Sequence, residues 1–443
     1  MKRRHFLKVS TLAIGASVLG TNESLANMAS SAPATAGDAN DSAPLINSKP
    51  MLQNFAETSI GVAFSVSALA NGFVVYGKKK DLSDGKKVWC GGYRIMDMND
   101  QVMQVRLTGL EPATTYYYRI GANRMHYGGG YDMKILETVE DDVIYSFKTA
   151  GRDAQSHFCV INDTHAHFDS FDLLTEKICQ LAPSCVVWNG DGCNAEDTFE
   201  EQKEIFLYPP IKHRDYASQM PYLLCPGNHD GRGKANRHLE KTWMFRQPEE
   251  RSSRDWDLGR NFAVRLGDIA LVGLDTAEDK LDSNPAFANL YNSHAYREAQ
   301  AAWLKDALDR PEIKNAQYIV ALCHIPLYDS DSKHNPGDVA PADYDPRYDT
   351  DYAMWQRTCK ELWSPLLEKA GCKLLICAHT HEFRVDKPSK DHSWTQVVGA
   401  GPDLDSGVTE HQPAVIDVRL NGGKLHIDVH NVVQNKIIYS LDI

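Results

Sequence analysis

Five times along this chain an apolar run stops abruptly at an oxygen or nitrogen donor. HFCVIND ends at Asp163, with His165 two residues on, and CVVWNGD ends at Asp191. LLCPGNHD ends in Asn228, His229 and Asp230, YIVALCH ends at His324, and LLICAHTH carries His379 and His381. Apolar, β-branched runs bounded by turn residues predict buried strands. The polar ends then fall in loops at the carboxyl edge of a sheet, where open α/β sheets place their ligands. One such residue alone is as well explained by a satisfied histidine or an aspartate capping a helix. Five together predict convergence. The donors suffice for two cations if one carboxylate is shared, and carboxylate, amide and imidazole without thiolate favour Fe, Zn or Mn over a structural Cys-bound zinc.

At 443 residues, with 42% hydrophobic and 24% charged residues, the chain has ordinary globular composition and room for two or three domains. A formal charge of −12 argues against nucleic acid as a partner. An anionic substrate would then need a local field, which two bound cations supply. The ten cysteines have no paired spacing; Cys159, Cys225, Cys323 and Cys377 lie inside the apolar runs and read as buried thiols. Cys179, Cys185 and Cys193 are close enough in sequence to leave one bridge open.

Residues 1–29 read as an export signal: MKRRHFLK is basic, VSTLAIGASVLG is apolar but too short to span a bilayer, and small residues follow. Arg3-Arg4 before Phe6-Leu7-Lys8 resembles a twin-arginine signal, the route of proteins exported folded, and predicts a periplasmic protein in a two-membrane cell. No later stretch reaches transmembrane length, so no membrane insertion is expected once the signal is removed. Residues 30–48 have the small, polar, proline-containing composition of a disordered linker. Residues 49–150 carry short alternating runs that predict a β-sandwich. Within them Leu110-Glu-Pro-Ala-Thr-Thr-Tyr116 resembles the tyrosine-corner stretch of fibronectin type III domains, with Tyr116 at the corner.

From 151 to 443 the pattern is α/β, with helices expected over 171–182, 297–308 and 355–370 and a strand over 269–276. Gly371 is the expected cap of the third helix. A block of hairpin strands turning at Asn421-Gly422 closes the chain. The stretches 231–261 and 329–352 read as long charged loops overhanging the site.

The five donor stretches, over roughly residues 155–400, resemble the calcineurin-like metallophosphoesterases, whose pattern is D-x-H, G-D, G-N-H-[DE], H and G-H-x-H in that order. The resemblance implies a four-layer αββα sandwich with Asp163, His165 and His381 on one metal and Asn228, His324 and His379 on the other. Asp191 would bridge, His229 would be the catalytic histidine, and Asp230 would orient it. One block departs, with Ala378 where the family usually has Gly.

A type III domain ahead of this domain, together with His324-Ile-Pro-Leu-Tyr328, is similar to the arrangement of purple acid phosphatases. That likeness implies His334 as a contact to the substrate phosphate, and Arg232 is a separate candidate to bind a non-bridging oxygen. The purple enzymes, however, carry Tyr where this chain has Asn194, and they lack a counterpart of His165. A dinuclear site that is not purple is therefore expected.

The implied reaction is hydrolysis of small phosphate esters, phosphomonoesters first, by a hydroxide shared between the two ions with His229 as general acid. Hydrolysis of phosphodiesters or nucleotides on the same site is the nearest alternative. The other is a non-catalytic module that docks through its β-sandwich.

Overall fold

The computed structural model describes residues 43–91, 95–96, 98–245, 256–328 and 346–443, with side chains described from 355 onward in the last segment. The expected signal, most of the linker and His334 lie outside the described residues. Residues 43–48, assigned above to the linker, are ordered: Leu45 is buried and Ile46 bridges to Val66. The apolar pair in the proline-containing stretch at 44–48 overrides its linker composition.

Among the described residues eight strands precede residue 150: β1 (Met51–Gln53), β2 (Ser59–Ser65), β3 (Ala70–Gly77), β4 (Lys86–Trp89), β5 (Val102–Thr108), β6 (Thr115–Gly129), β7 (Asp132–Glu140) and β8 (Tyr145–Lys148). β4, β3, β6 and β7 form an antiparallel sheet in that order, and β8 adds to β6. The Tyr116 hydroxyl accepts from the Glu111 N–H at 3.0 Å, the contact expected of a corner tyrosine. β7 escaped the sequence pattern because its residues are almost all exposed, leaving no alternation to read.

After these come β9 (His157–Ile161), α1 (Phe168–Leu181), β10 (Cys185–Trp188), α2 (Phe199–Phe206), β11 (Tyr222–Leu224), β12 (Phe262–Leu266) and β13 (Ile269–Leu274). α3 (Ser293–Asp309), the short α4 (Pro311–Lys314), β14 (Tyr318–Cys323), α5 (Pro346–Ala370) and β15 (Leu374–Cys377) follow. β16 (Arg384–Asp386), β17 (Thr395–Val398), β18 (Ala414–Asn421), β19 (Lys424–Asn431) and β20 (Lys436–Asp442) complete the chain. α5 begins at 346, so the predicted acidic loop gives way to helix in its last residues. Gly371 adopts φ +75° where α5 ends.

Two large sheets result. One runs β20-β19-β18-β9-β10-β11-β1-β2-β5, and the other runs β12-β13-β14-β15-β17-β16. β1, β2 and β5 therefore extend the first large sheet, with β1 parallel to β11, so no break in the sheet falls at residue 150. The Tyr118 hydroxyl ties the N-terminal strands to the rest by donating to the Ser218 carbonyl at 2.6 Å.

Alternation along the central strands builds the layers. Phe158, Val160, Val187 and Leu223 of the first sheet share one core with Leu271, Val320, Leu322 and Ile376 of the second. Cys159, Ile161 and Trp188 face the other way, against Phe171, Leu174 and Ile178 of α1. Ala321, Cys323 and Cys377 pack with Trp303 and Leu304 of α3 and Trp363 of α5. Helix, sheet, sheet, helix is the order, and strands covered on both faces read as unbroken apolar runs.

A charged ladder crosses the outer part of the first sheet. Arg419 pairs with Asp417 and Asp428, and His157 Nε2 lies 2.6 Å from Asp417. His426 holds Asp442 at Nδ1 (2.6 Å) and Asp428 at Nε2 (3.1 Å). A ring facing carboxylates at both nitrogens must carry both protons. The Asp442 bond, helped by Asp428, raises its pKa above the ordinary 6.5 against the effect of burial. A pKa raised by folding stabilises fully below 6.5 and loses that contribution as pH rises through the folded value. The melting temperature should thus fall as pH is raised above 6.5, and His426→Gln should flatten this part of the profile. The difference should stay below about 1 kcal/mol because solvent screens the pair. An unchanged slope in the variant would rule out the doubly protonated ring.

Candidate metal centre

The donors sit where the parallel strands β9, β10, β11, β14 and β15 end, and the backbone there is tightly bent. Asp163 (φ +46°), His165 (+45°), Asp191 (+50°), His379 (+71°) and His381 (+55°) all occupy the left-handed region. Such residues cost of order 1–3 kcal/mol each and persist only where the surroundings hold them. Here the Asp163 N–H donates to Gly190 O (3.0 Å), and the His165 N–H donates to Asp191 O (2.9 Å). Gly190 and Gly227 are required by close approach: a methyl on Gly190 would strike the His324 ring, and one on Gly227 would strike the Asp191 carboxylate. Ala378 is fully buried but has no positive φ, so the residue usually found as glycine in this motif need not be one.

The donor atoms of Asp163, His165 and His381 lie within 4.8 Å of one another, as do those of Asp191, His324 and His379. Asp191 also groups with His165 and His229, so its carboxylate reaches both sides. The Asn228 Oδ1 is 3.0 Å from His379 Nδ1. All seven expected ligands are thus brought together.

The supporting bonds fix the rings. His324 Nδ1 meets the Asn189 carbonyl at 2.8 Å, which makes it the protonated nitrogen and turns Nε2 inward, 3.0 Å from Asp191 and 3.7 Å from Asp163. His165 Nδ1 meets Asn194 Oδ1 at 2.9 Å, leaving its Nε2 3.0 Å from His381 Nε2. A ring nitrogen satisfied by an outer acceptor, with its partner aimed at a shared point, is how proteins present histidine to a metal.

Several of these inward atoms have no partner of their own. Asp163 Oδ1 and His324 Nε2 are buried without hydrogen-bond geometry, and two imidazole Nε2 atoms face each other. Such an arrangement is costly unless a cation or proton sits among them. The residues present fit two cations.

Electrostatics agree. Burial disfavours a charged His324, yet Asp191 and Asp163 overcome it and raise the ring to about 10. The Asp191 carboxyl is held down to about 2 despite its burial, chiefly by His324. Burial, then His324, pushes His379 down to about 4.

Asp230 does not orient His229. Its carboxylate is fully buried and accepts from the Asp191 and Gly227 N–H groups (both 2.9 Å) and from Cys193 N–H (3.0 Å). Burial and the charge on Asp191 raise it to about 6. It staples the β10 loop to the β11 loop, because three converging amides satisfy a carboxylate better than one imidazole. His229 is oriented by the Asn194 carbonyl, 3.0 Å from Nδ1, while its Nε2 faces Arg232 Nη1 at 2.8 Å. Burial, with Arg232 and His165, holds His229 below its ordinary value.

Arg232 reaches the site but is engaged by Glu278 and Asp279, which the sequence reading passed over. They follow β13, another apolar run ending in polar residues, and that was the available signal. Asn194 was noted only as a missing tyrosine. A cavity of about 650 Å³ is lined by His165, His229, His381 and Asn194 together with Phe168 and Asp403. All ten cysteines are free.

Two measurements test this arrangement. Asp191→Ala should lose both metals, because the carboxylate reaches each group; full occupancy by elemental analysis would refute the shared role. Asn194→Ala should weaken metal binding at the His165 side by about 10- to 100-fold, the usual cost of losing such a supporting bond, read by competition with a chelating dye.

The sequence pattern of the calcineurin-like phosphoesterases matches residues 156–383, more than half of the chain. Purple acid phosphatase 18 of Arabidopsis thaliana is 22% identical over 297 residues, covering 66% of this chain and 55% of that relative. Among solved structures, the purple acid phosphatase PPD1 from yellow lupin (Lupinus luteus) seeds superposes with a TM-score of 0.60 at 14% identity, covering 89% of this chain and 73% of that one. PhoD superposes with a TM-score of 0.57 at 12% identity, covering 90% of each chain. The matched pattern covers more than half of the chain, and the chain belongs to the calcineurin-like phosphoesterase family.

Proposed function

We propose that the chain is a metal-dependent phosphoesterase acting on small phosphate esters, phosphomonoesters first. The observation that carries the reading is the pair of three-residue donor groups meeting at Asp191, with unpartnered atoms aimed inward. Asp163, His165 and His381 would hold one cation and Asn228, His324 and His379 the other, with Asp191 between them. Bound there, two cations acidify water and neutralise phosphoryl charge.

The chain's own residues do the rest. The Asn189 carbonyl and Asn194 Oδ1 fix the tautomers of His324 and His165. The Asn194 carbonyl fixes His229 through Nδ1, so Nε2 is the atom left to serve the substrate. His229 is held neutral beside Arg232; an anion arriving between them favours its protonation, and Nε2 then hands that proton to the departing alkoxide. The cavity of about 650 Å³ also admits a second ester substituent, which keeps phosphodiesters as the second reading.

Export is part of the proposal: it rests on Arg3-Arg4 and the short apolar run after them. Among the described residues no helix is long and apolar enough to cross a membrane.

Purified protein should turn over para-nitrophenyl phosphate and lose that activity with chelator. No metal-dependent turnover of any ester, with both metals bound, would end the proposal. His229→Ala should keep both metals yet slow turnover roughly 10²- to 10⁴-fold, more for alkyl than for aryl esters. Equal losses on the two would remove the proton-donor role.

A further inference from the structure

Arg232 presents a guanidinium of which only one edge is left for the site. Its Nε donates to Glu278 Oε1 at 2.9 Å and its Nη2 to Glu278 Oε2 at 2.8 Å, fork against fork. Nη2 also reaches Asp279 Oδ1 at 3.2 Å. Nη1 alone turns inward, 2.8 Å from His229 Nε2.

The clamp is itself anchored. Glu278 is 8% exposed, and its main chain is held apart from its side chain: Arg297 Nη2 donates to Glu278 O at 2.9 Å, and Glu278 N donates to the Tyr291 hydroxyl at 2.7 Å. Lys280 pairs with Asp279 at 2.6 Å. Two carboxylates thus face two cations, and the quartet carries no net charge. What it supplies to the site is direction, not field.

We propose that Glu278, supported by Asp279, is a positioning residue that aims Arg232 Nη1 at a third non-bridging phosphoryl oxygen and thereby favours phosphomonoesters over phosphodiesters. The proposal rests on the phosphoesterase reading above. A monoester presents three non-bridging oxygens and a diester two. If cations held at the paired donor groups took up two of them, only a monoester would keep one for the edge beside His229. A fixed cationic donor there adds a charged hydrogen bond for one ester class alone, a selectivity of about 10- to 100-fold. Lysine cannot replace the arginine, because one ammonium cannot be gripped in a fork and still point a second edge inward.

The test uses the metal-loaded full chain and its Glu278→Gln and Arg232→Lys variants. Para-nitrophenyl phosphate and bis-para-nitrophenyl phosphate share a leaving group, so their kcat/KM ratio isolates the phosphoryl end. The monoester-to-diester ratio should fall about 10- to 100-fold in both variants with metal content unchanged by elemental analysis. Calorimetry should show inorganic phosphate binding weakened by a similar factor and dimethyl phosphate binding altered less. Equal losses on both esters, or an unchanged ratio, would overturn the proposal. Should the wild type turn over neither ester, the phosphoesterase reading falls, and the calorimetry still decides: phosphate affinity unaltered by Glu278→Gln would overturn the anchor on its own.

Discussion

Two carboxylates buried almost completely, Asp163 and Asp191, face one another's imidazole partners at the seam between the two large sheets. Burying ionised groups is costly without compensating charge and hydrogen bonds. Asp163 Oδ2 accepts from Asn162 Nδ2 and from the His379 N–H, while its Oδ1 has no such partner. Asp191 Oδ1 accepts from the His229 N–H. The remaining demand for positive charge is met from within the donor cluster, by protonated imidazoles such as His324 and His165 or by cations. Proton and metal therefore compete for the same place, and metal binding should displace protons.

Much of the surrounding architecture serves to hold that arrangement. Five ligand residues sit in the left-handed region, and a β10 loop in that state would relax if it were free. Asp230 prevents this by gathering amides from two loops, so a residue expected to assist a proton transfer instead maintains backbone shape. Asn194 has a comparable double use: its side chain holds His165 and its carbonyl holds His229. Where the purple enzymes place a tyrosine, this chain has a residue that aligns two histidines at once.

The first large sheet also changes the meaning of the N-terminal strands. β1, β2 and β5 hydrogen-bond in series onto β11, the strand that leads into Asn228 and His229. Gln53 strengthens the connection by donating to the Thr242 carbonyl and accepting from the Met244 N–H. Part of the β-rich region is therefore built into the same sheet as three of the strands that carry the donors. A boundary drawn from alternation alone could not register this, because strand pairing across distant sequence leaves no local trace.

The seven donors and the strands that carry them were legible in the amino-acid order, because each strand is covered on both faces and ends where a donor begins; periodicity gave only α/β with an added antiparallel sheet, and the αββα layering came from the resemblance of the motifs. Helices over α1, α3 and most of α5 were legible from their apolar spacing. Tertiary structure alone decided the partners: Asp230 with three amides, Arg232 with Glu278, Asn194 with two histidines, and Leu45 with the core. The physical reason is range. Periodicity records which face of an element meets the core, but a hydrogen bond between residues separated by dozens of positions depends on how whole elements are placed. That placement exists only once the chain has folded.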